Sequence, residues 1–192
     1  MLAETVSRLN AAEKSNGGPI IVEAGRRVDA PEATAARFPS RNVAEVRDKI
    51  RVLLHNQKPG ATVSSAACGA DLLLLEVAAE VRVPRYILLP TAPEEFRTSS
   101  VTDRPGDWGD LYTEALRTSK IEVLTLPEGQ EGYLETNLKL LDRAQAIANQ
   151  EHSHVKALVV WNKESRGPDD VTAHFLKHAR LRGFPVSEIS TL

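Results

Sequence analysis

The sequence predicts an α/β fold, a three-layer sandwich in which helices cover both faces of a mostly parallel sheet of five to six strands. Three observations carry this reading. Apolar runs of strand length recur along the chain, among them "PIIVEAG", "RYILLP" and "VKALVVWN". They are apolar nearly throughout rather than alternating, as in strands buried on both faces. Helix-length segments with apolar residues three and four apart separate them, and such alternation builds parallel sheets.

The elements follow in chain order. Residues 1–18 form an expected N-terminal helical arm: Leu2, Val6 and Leu9 recur at helical spacing, and Ser15-Asn16-Gly17-Gly18 ends the segment. So short a helix needs a surface, either the body or a second copy, so a homo-oligomer is expected. Residues 19–192 form the main domain. Strand one spans Ile20 to Ala24 and stops at Gly25. Asp29 to Pro39 is a Pro-containing loop, and "RNVAEVRDKIRVLL" is an amphipathic helix with Val43, Val46, Ile50, Leu53 and Leu54 inward. Strand two covers about Ala61 to Ser65, followed by an apolar helix from about Gly69 to Val81. "RYILLP" is strand three, and Thr91 to Asp107 reads as loop. A helix from about Trp108 to Thr118 leads to strand four, "KIEVLTL", and Glu131 to Gln150 is a long helix. "VKALVVWN" is strand five. The last helix runs from about Asp169 to Arg182, and "PVSEI" is a short sixth strand.

Composition excludes several classes. Apolar residues make up 42% of the 192, enough for a sizeable core. Lys plus Arg number 24 against 26 Asp plus Glu, a net charge of −2. That balance argues against a protein built to bind nucleic acid strongly. One cysteine excludes an intrachain disulfide and fits a reducing compartment. No apolar run reaches membrane-spanning length and no signal-peptide core is present, so a cytoplasmic protein without membrane contact is expected.

Parallel sheets of this kind bind ligands beyond the carboxyl ends of their strands. Candidate residues therefore follow the strands. After strand two, Ser64, Ser65, Cys68, Gly69, Ala70 and Asp71 combine small side chains with a helix start. Free N–H groups and the helix dipole favour a phosphate there; a tight turn with Asp71 complementing the helix is the alternative. After strand one, Gly25-Arg26-Arg27 offers guanidinium groups that bond phosphate bidentately, or pair with Asp29 or Glu94 to hold the loop. Glu94, Glu95 and Ser99 follow strand three, where carboxylates take ribose hydroxyls or simply begin a surface helix. Trp161 either stacks on a base or packs against the last helix. Gly167 and Thr172 flank that helix's start, where Asp169, Asp170 and Thr172 are candidate caps. Cys68 is read as a space filler. His174 and His178 share a helical face but lack a third ligand, so no metal and no cofactor are expected.

The segments "GRRVDAPE" and "ARFP", the turn "SSAACGADLLLLEVAAE", the run "YILLPTAPEEFRTSSV" and the strand end "VVWN" together resemble the SLOG superfamily. This resemblance covers about residues 19–190. It implies a Rossmann-like domain, places the strand-one Gly-Arg beside the pocket, and implies a nucleotide-sensor-like module coupled to an effector protein in signalling or defence. The superfamily includes the Lonely Guy phosphoribohydrolases and a DNA-processing protein. Lonely Guy enzymes carry "PGGxGTxxE"; here the stretch is "SRGPDDVTAHF", in which Gly167 and Thr172 align and Phe175 replaces the catalytic Glu. The expected function is therefore binding or sensing of a nucleotide or small nucleotide derivative. The alternative is N-glycosidic cleavage, with Glu94, Glu95 and Asp71 as candidate catalytic carboxylates; a weaker alternative is a DNA-binding relative.

Overall fold

The structure is a computed structural model, and it describes residues 17–192. The expected helix at Leu2, Val6 and Leu9 lies outside the described residues.

Six strands form one parallel sheet: β1 (Ile20–Gly25), β2 (Ala61–Ser64), β3 (Arg85–Leu89), β4 (Lys120–Val123), β5 (Val155–Trp161) and β6 (Val186–Ser190). Their order is β4-β3-β2-β1-β5-β6, and every pairing is parallel. The chain thus builds outward from β1 to β4, then returns to the other side of β1 with β5. That reversal opens a crevice at the carboxyl ends of β1 and β5, the place where such sheets take ligands.

Six helices cover the sheet: α1 (Val43–Gln57), α2 (Ala70–Glu80), α3 (Pro93–Ser100), α4 (Trp108–Thr118), α5 (Gln130–Gln150) and α6 (Val171–Leu181). The strand period of two divides β1 between the layers. Ile20, Val22 and Ala24 join Leu140, Leu141, Ala144, Phe175 and Ala179 of α5 and α6. Ile21 faces the other way, into the core made with α1, α2 and α4. Helix α2 is enclosed on most sides. Leu72, Leu73, Leu74 and Leu75 are all buried, each worth roughly 1.5–3 kcal/mol of transfer free energy.

One expected loop contains a helix. Within 91–107, α3 begins with Pro93 at its first turn and with Glu94 and Glu95 complementing the dipole. Its apolar stripe is a single residue, Phe96, with Ser100 one turn on, so periodicity had little to show. The 29–39 loop, by contrast, has no long element and closes on itself. Asp29 donates its N–H to the Phe38 carbonyl, and its carboxylate accepts from the N–H groups of Arg37 and Phe38.

Candidate functional site

A cavity of about 380 Å³ sits on the carboxyl edge of β1 and β2, within the usual size range of small-ligand sites. The end of β1, the starts of α2 and α6, the sides of α3 and α5, and the 29–39 loop build its walls. Of the sequence-predicted residues, the structure brings Gly25, Arg26, Arg27, Ser65, Asp71 and Thr172 to its lining.

The polar groups of this lining are unevenly satisfied. Both carboxylate oxygens of Glu23, Oγ of Ser65 and Nε of Arg104 are buried with no protein hydrogen-bond partner. All three residues face the same cavity. Buried polar groups are nearly always paired, because an unpaired one costs about 1–3 kcal/mol. Three residues that break this rule around one space are complementary to something polar.

Glu23 is the most demanding of them. It is wholly buried, and strand alternation points it with Ile21 toward α2. There its carboxyl is near enough to that of Asp71, in the first turn of α2, for the two to disfavour each other's charge. Burial raises the Glu23 pKa well above its ordinary value, and the neighbouring Asp71 charge raises it further. Burial also lifts Asp71, to about 6, opposed by the hydrogen bond that its Oδ2 accepts from the Ala67 N–H at 3.1 Å. Sequence reasoning singled out Asp71 and passed over Glu23. The signal was present: a carboxylate inside an otherwise apolar central strand.

The arginines divide. Arg26 is 5% exposed and fully engaged in structure. Its guanidinium donates to both Asp170 oxygens at 2.8 and 2.7 Å, to Asn162 Oδ1 and to the Glu164 carbonyl. The pairing expected with Asp29 or Glu94 is made with Asp170 instead, because the β1–β5 pairing sets Gly25 beside Val160 and brings the β5–α6 loop over Arg26. Asp170 in turn caps α6, accepting from the N–H groups of Thr172 and Ala173, as its position suggested. Arg27 is half-exposed. One terminal nitrogen donates to both Asp103 oxygens at 2.9 Å and to the Ser99 carbonyl at 3.1 Å, and the residue lines the cavity. Arg37, Arg104 and Arg166 also line the space; sequence reasoning had not chosen them, since nothing local distinguishes a rim arginine from a solvated one.

The small residues between Ser64 and Asp71 have a packing cause. A Cβ on Gly69 would lie 2.7 Å from the Arg26 carbonyl oxygen and 3.0 Å from Arg27 Cα, and its φ of +98° already favours glycine. A Cβ on Gly25 would fall 2.3 Å from that of Ala70. The end of β1 therefore crosses the start of α2 at backbone contact. The helix N–H groups expected to cradle a phosphate are partly taken: Ala70 donates to the Arg26 carbonyl and Cys68 to the Ser100 carbonyl. Ser65, Ala67 and Asp71 line the cavity, whereas Ser64, Cys68, Gly69 and Ala70 do not. Burial pushes the Cys68 thiol up to about 12, which fits a space filler.

The remaining predicted residues lie elsewhere. Glu94 is exposed on the first turn of α3, and Glu95 and Ser99 border a smaller recess, where the neighbouring Glu128 carboxyl raises the Glu95 pKa. Trp161 packs with Phe175 and Ala179 and donates from Nε1 to Glu188 at 2.8 Å, the packing alternative. Gly167 is an exposed turn residue with φ +118° whose carbonyl accepts the Asp170 N–H. Phe175 is wholly buried in the core. The His174 and His178 rings lie 4.3 Å apart, tilted by 41°. Among the described residues no helix is long and apolar enough to cross a membrane.

No protein-family model and no curated protein matches the chain. Solved structures do. DNA processing protein A from Streptococcus pneumoniae is 13% identical with a TM-score of 0.44, over 93% of this chain and 60% of its own. DNA processing protein A from Helicobacter pylori, described by its single-stranded DNA binding mode, is 12% identical with a TM-score of 0.41, over 90% of this chain and 76% of its own. The chain thus spans less than two thirds of the first of these proteins. The single-stranded DNA in the second description conflicts with the expectation that strong nucleic-acid binding is excluded, and that expectation is dropped. Its physical weakness is plain in the structure: a net charge of −2 is a sum over the chain, whereas Arg27, Arg37, Arg104 and Arg166 gather at one cavity.

Proposed function

We propose that this cavity binds a phosphorylated, nucleotide-like ligand, with its anionic group at Arg27 and Arg104 and its polar uncharged part over Glu23, Asp71 and Ser65. The single observation that carries the reading is the set of buried, unpartnered polar atoms of Glu23, Ser65 and Arg104 around one space. A ligand with an anion at one end and hydroxyl donors beside it satisfies all three. Phe96 and Tyr133 supply apolar surface for a base.

A second reading, cleavage of an N-glycosidic bond, is favoured by the Glu23–Asp71 pair, since burial raises the pKa of both carboxyls and a raised carboxyl can serve as a general acid. On that reading the candidates are Asp71, one of the three carboxylates expected from sequence, and the buried Glu23 beside it, in place of the exposed Glu94 and Glu95. A strand end of single-stranded DNA presents a phosphate joined to a 2′-deoxy sugar, so an oligonucleotide belongs in the test.

The experiment is a thermal-shift screen of the full chain with nucleoside mono- and diphosphates, their nucleosides, and a short single-stranded DNA. Chromatography of each hit looks for released base. The reading predicts a shift with phosphorylated compounds, a smaller one with nucleosides, and intact ligand afterwards. Released base that vanishes in Glu23→Gln protein would favour the glycosidase. A shift with the oligonucleotide alone would replace the small ligand by a DNA strand.

A further inference from the structure

The acid pair narrows what the ligand must be. Its surroundings place it next to the anion site rather than across the cavity from it. Glu23 Oε1 lies 2.9 Å from where a Cβ on Gly25 would sit, and Arg27 follows Gly25 by two residues. Gly69, two residues before Asp71, is in backbone contact with Arg27. The charge of Arg27 acts on Asp71 directly. Both Arg27 and Arg104 act on the neighbouring Cys68 thiol. The two arginines and the two carboxyls are therefore one cluster.

In a nucleotide the group joined to the phosphate is the sugar, and the base lies beyond it. A cluster that holds phosphate on its arginines presents its carboxyls to the sugar. Glu23 offers two oxygens that no protein group satisfies. Two acceptor oxygens on one carboxyl are the complement of two adjacent hydroxyl groups. Ser65 Oγ, equally unpartnered, adds a hydroxyl beside them.

We infer that Glu23 and Asp71 read the adjacent 2′- and 3′-hydroxyls of the ligand's sugar, making the cavity selective for ribose 5-phosphate units over their 2′-deoxy counterparts. This rests on the proposed function. It adds a specificity that the arginine rim does not supply, because phosphate is common to both sugars. A ligand lacking one hydroxyl leaves a buried carboxyl oxygen unpaired, and sites built to bond a hydroxyl reject such analogues strongly.

The test titrates the full chain, by calorimetry, with ribose 5-phosphate, 2-deoxyribose 5-phosphate, and the four ribonucleoside 5′-monophosphates beside their 2′-deoxy forms. The inference predicts that the ribo member of each pair binds at least about tenfold more tightly. It also predicts that Glu23→Gln, and separately Asp71→Asn, collapse that ratio toward one, with both variants checked for native circular dichroism. Equal affinity of ribo and 2′-deoxy members for the wild-type chain overturns the inference while leaving phosphate binding intact. A ribo preference that persists in both variants overturns the assignment to these residues. No binding by any probe removes the proposed function and the inference with it.

Discussion

Asp170 and Glu23 are both buried carboxyl groups at the carboxyl end of the sheet, and they face opposite fates. Asp170 bonds Arg26 through both oxygens and accepts three backbone N–H groups, from Arg166, Thr172 and Ala173. Those bonds hold its pKa below the ordinary carboxylate range despite burial, so it is charged throughout the physiological range. Glu23 receives no hydrogen bond from the described residues, and burial, with the Asp71 carboxyl nearby, pushes its pKa the other way. The contrast separates two uses of a buried acid. A satisfied one ties β1 to α6 and holds the fold. An unsatisfied one weakens the fold and leaves a place for a ligand.

The largest effect expected from breaking this contrast is at the satisfied site. Asp170→Ala leaves the Arg26 guanidinium buried without its counter-charge and removes the cap of α6. It should destabilise the chain by about 3–5 kcal/mol, read as a lowered urea midpoint. The sign with pH follows from the depressed pKa: the Asp170 contribution is present above the unfolded value near 4 and is lost as pH falls through the folded one.

Gly69→Val comes next. A branched side chain at φ +98° and 2.7 Å from the Arg26 carbonyl strains the crossing of β1 over α2. A loss of about 1–3 kcal/mol should appear in thermal melting, whether or not ligand is present. A variant with unchanged melting but lost binding would mean that Gly69 makes room for ligand.

At the unsatisfied site the sign reverses. Glu23→Gln keeps the shape and removes a carboxyl whose charged form burial disfavours. With a folded pKa above the unfolded value, the wild-type acid pair destabilises progressively as pH rises from about 4 toward the folded values. Asp71, lifted to about 6, places part of that loss below neutrality. Glu23→Gln should therefore be about 1 kcal/mol more stable than wild type at pH 8 and nearly equal at pH 4. Denaturant midpoints at both pH values check this; a variant less stable at pH 8 would show that the carboxylate has a stabilising partner. The smallest effect is at Glu94, where Glu94→Gln should alter neither melting nor binding, since it is exposed and does not line the cavity.

The same contrast shows what the sequence made legible. Strand order aside, the alternation of apolar strands and helices announced the parallel sheet, and the position of ligand-edge loops followed from it. Periodicity failed at α3, where one apolar residue, Phe96, carries the packing. At the site, Asp71 stood out because it opens a helix, and Arg27 because it follows a strand. Glu23 did not, because an apolar strand invites the reader to average over its one charge. Arg26 and Arg27 are indistinguishable neighbours in sequence. Only the β1–β5 pairing, which brings Asp170 from 144 residues away, decides that Arg26 is a clamp, while Arg27 beside it is half-exposed and pairs with Asp103. The small residues of 64–70 were legible as close approach, but what approaches is the chain's own backbone.

The central claim is that the arginine rim of this cavity holds a phosphate while Arg26 holds the fold. The most direct measurement is calorimetric titration of ribonucleoside 5′-monophosphates into wild-type and Arg27→Ala chains, with melting of each variant recorded alongside Arg26→Ala. The account predicts that Arg27→Ala melts like wild type and binds about tenfold or more weakly, whereas Arg26→Ala is strongly destabilised. Undiminished nucleotide affinity in Arg27→Ala protein, or an Arg26→Ala chain as stable as wild type, would contradict it.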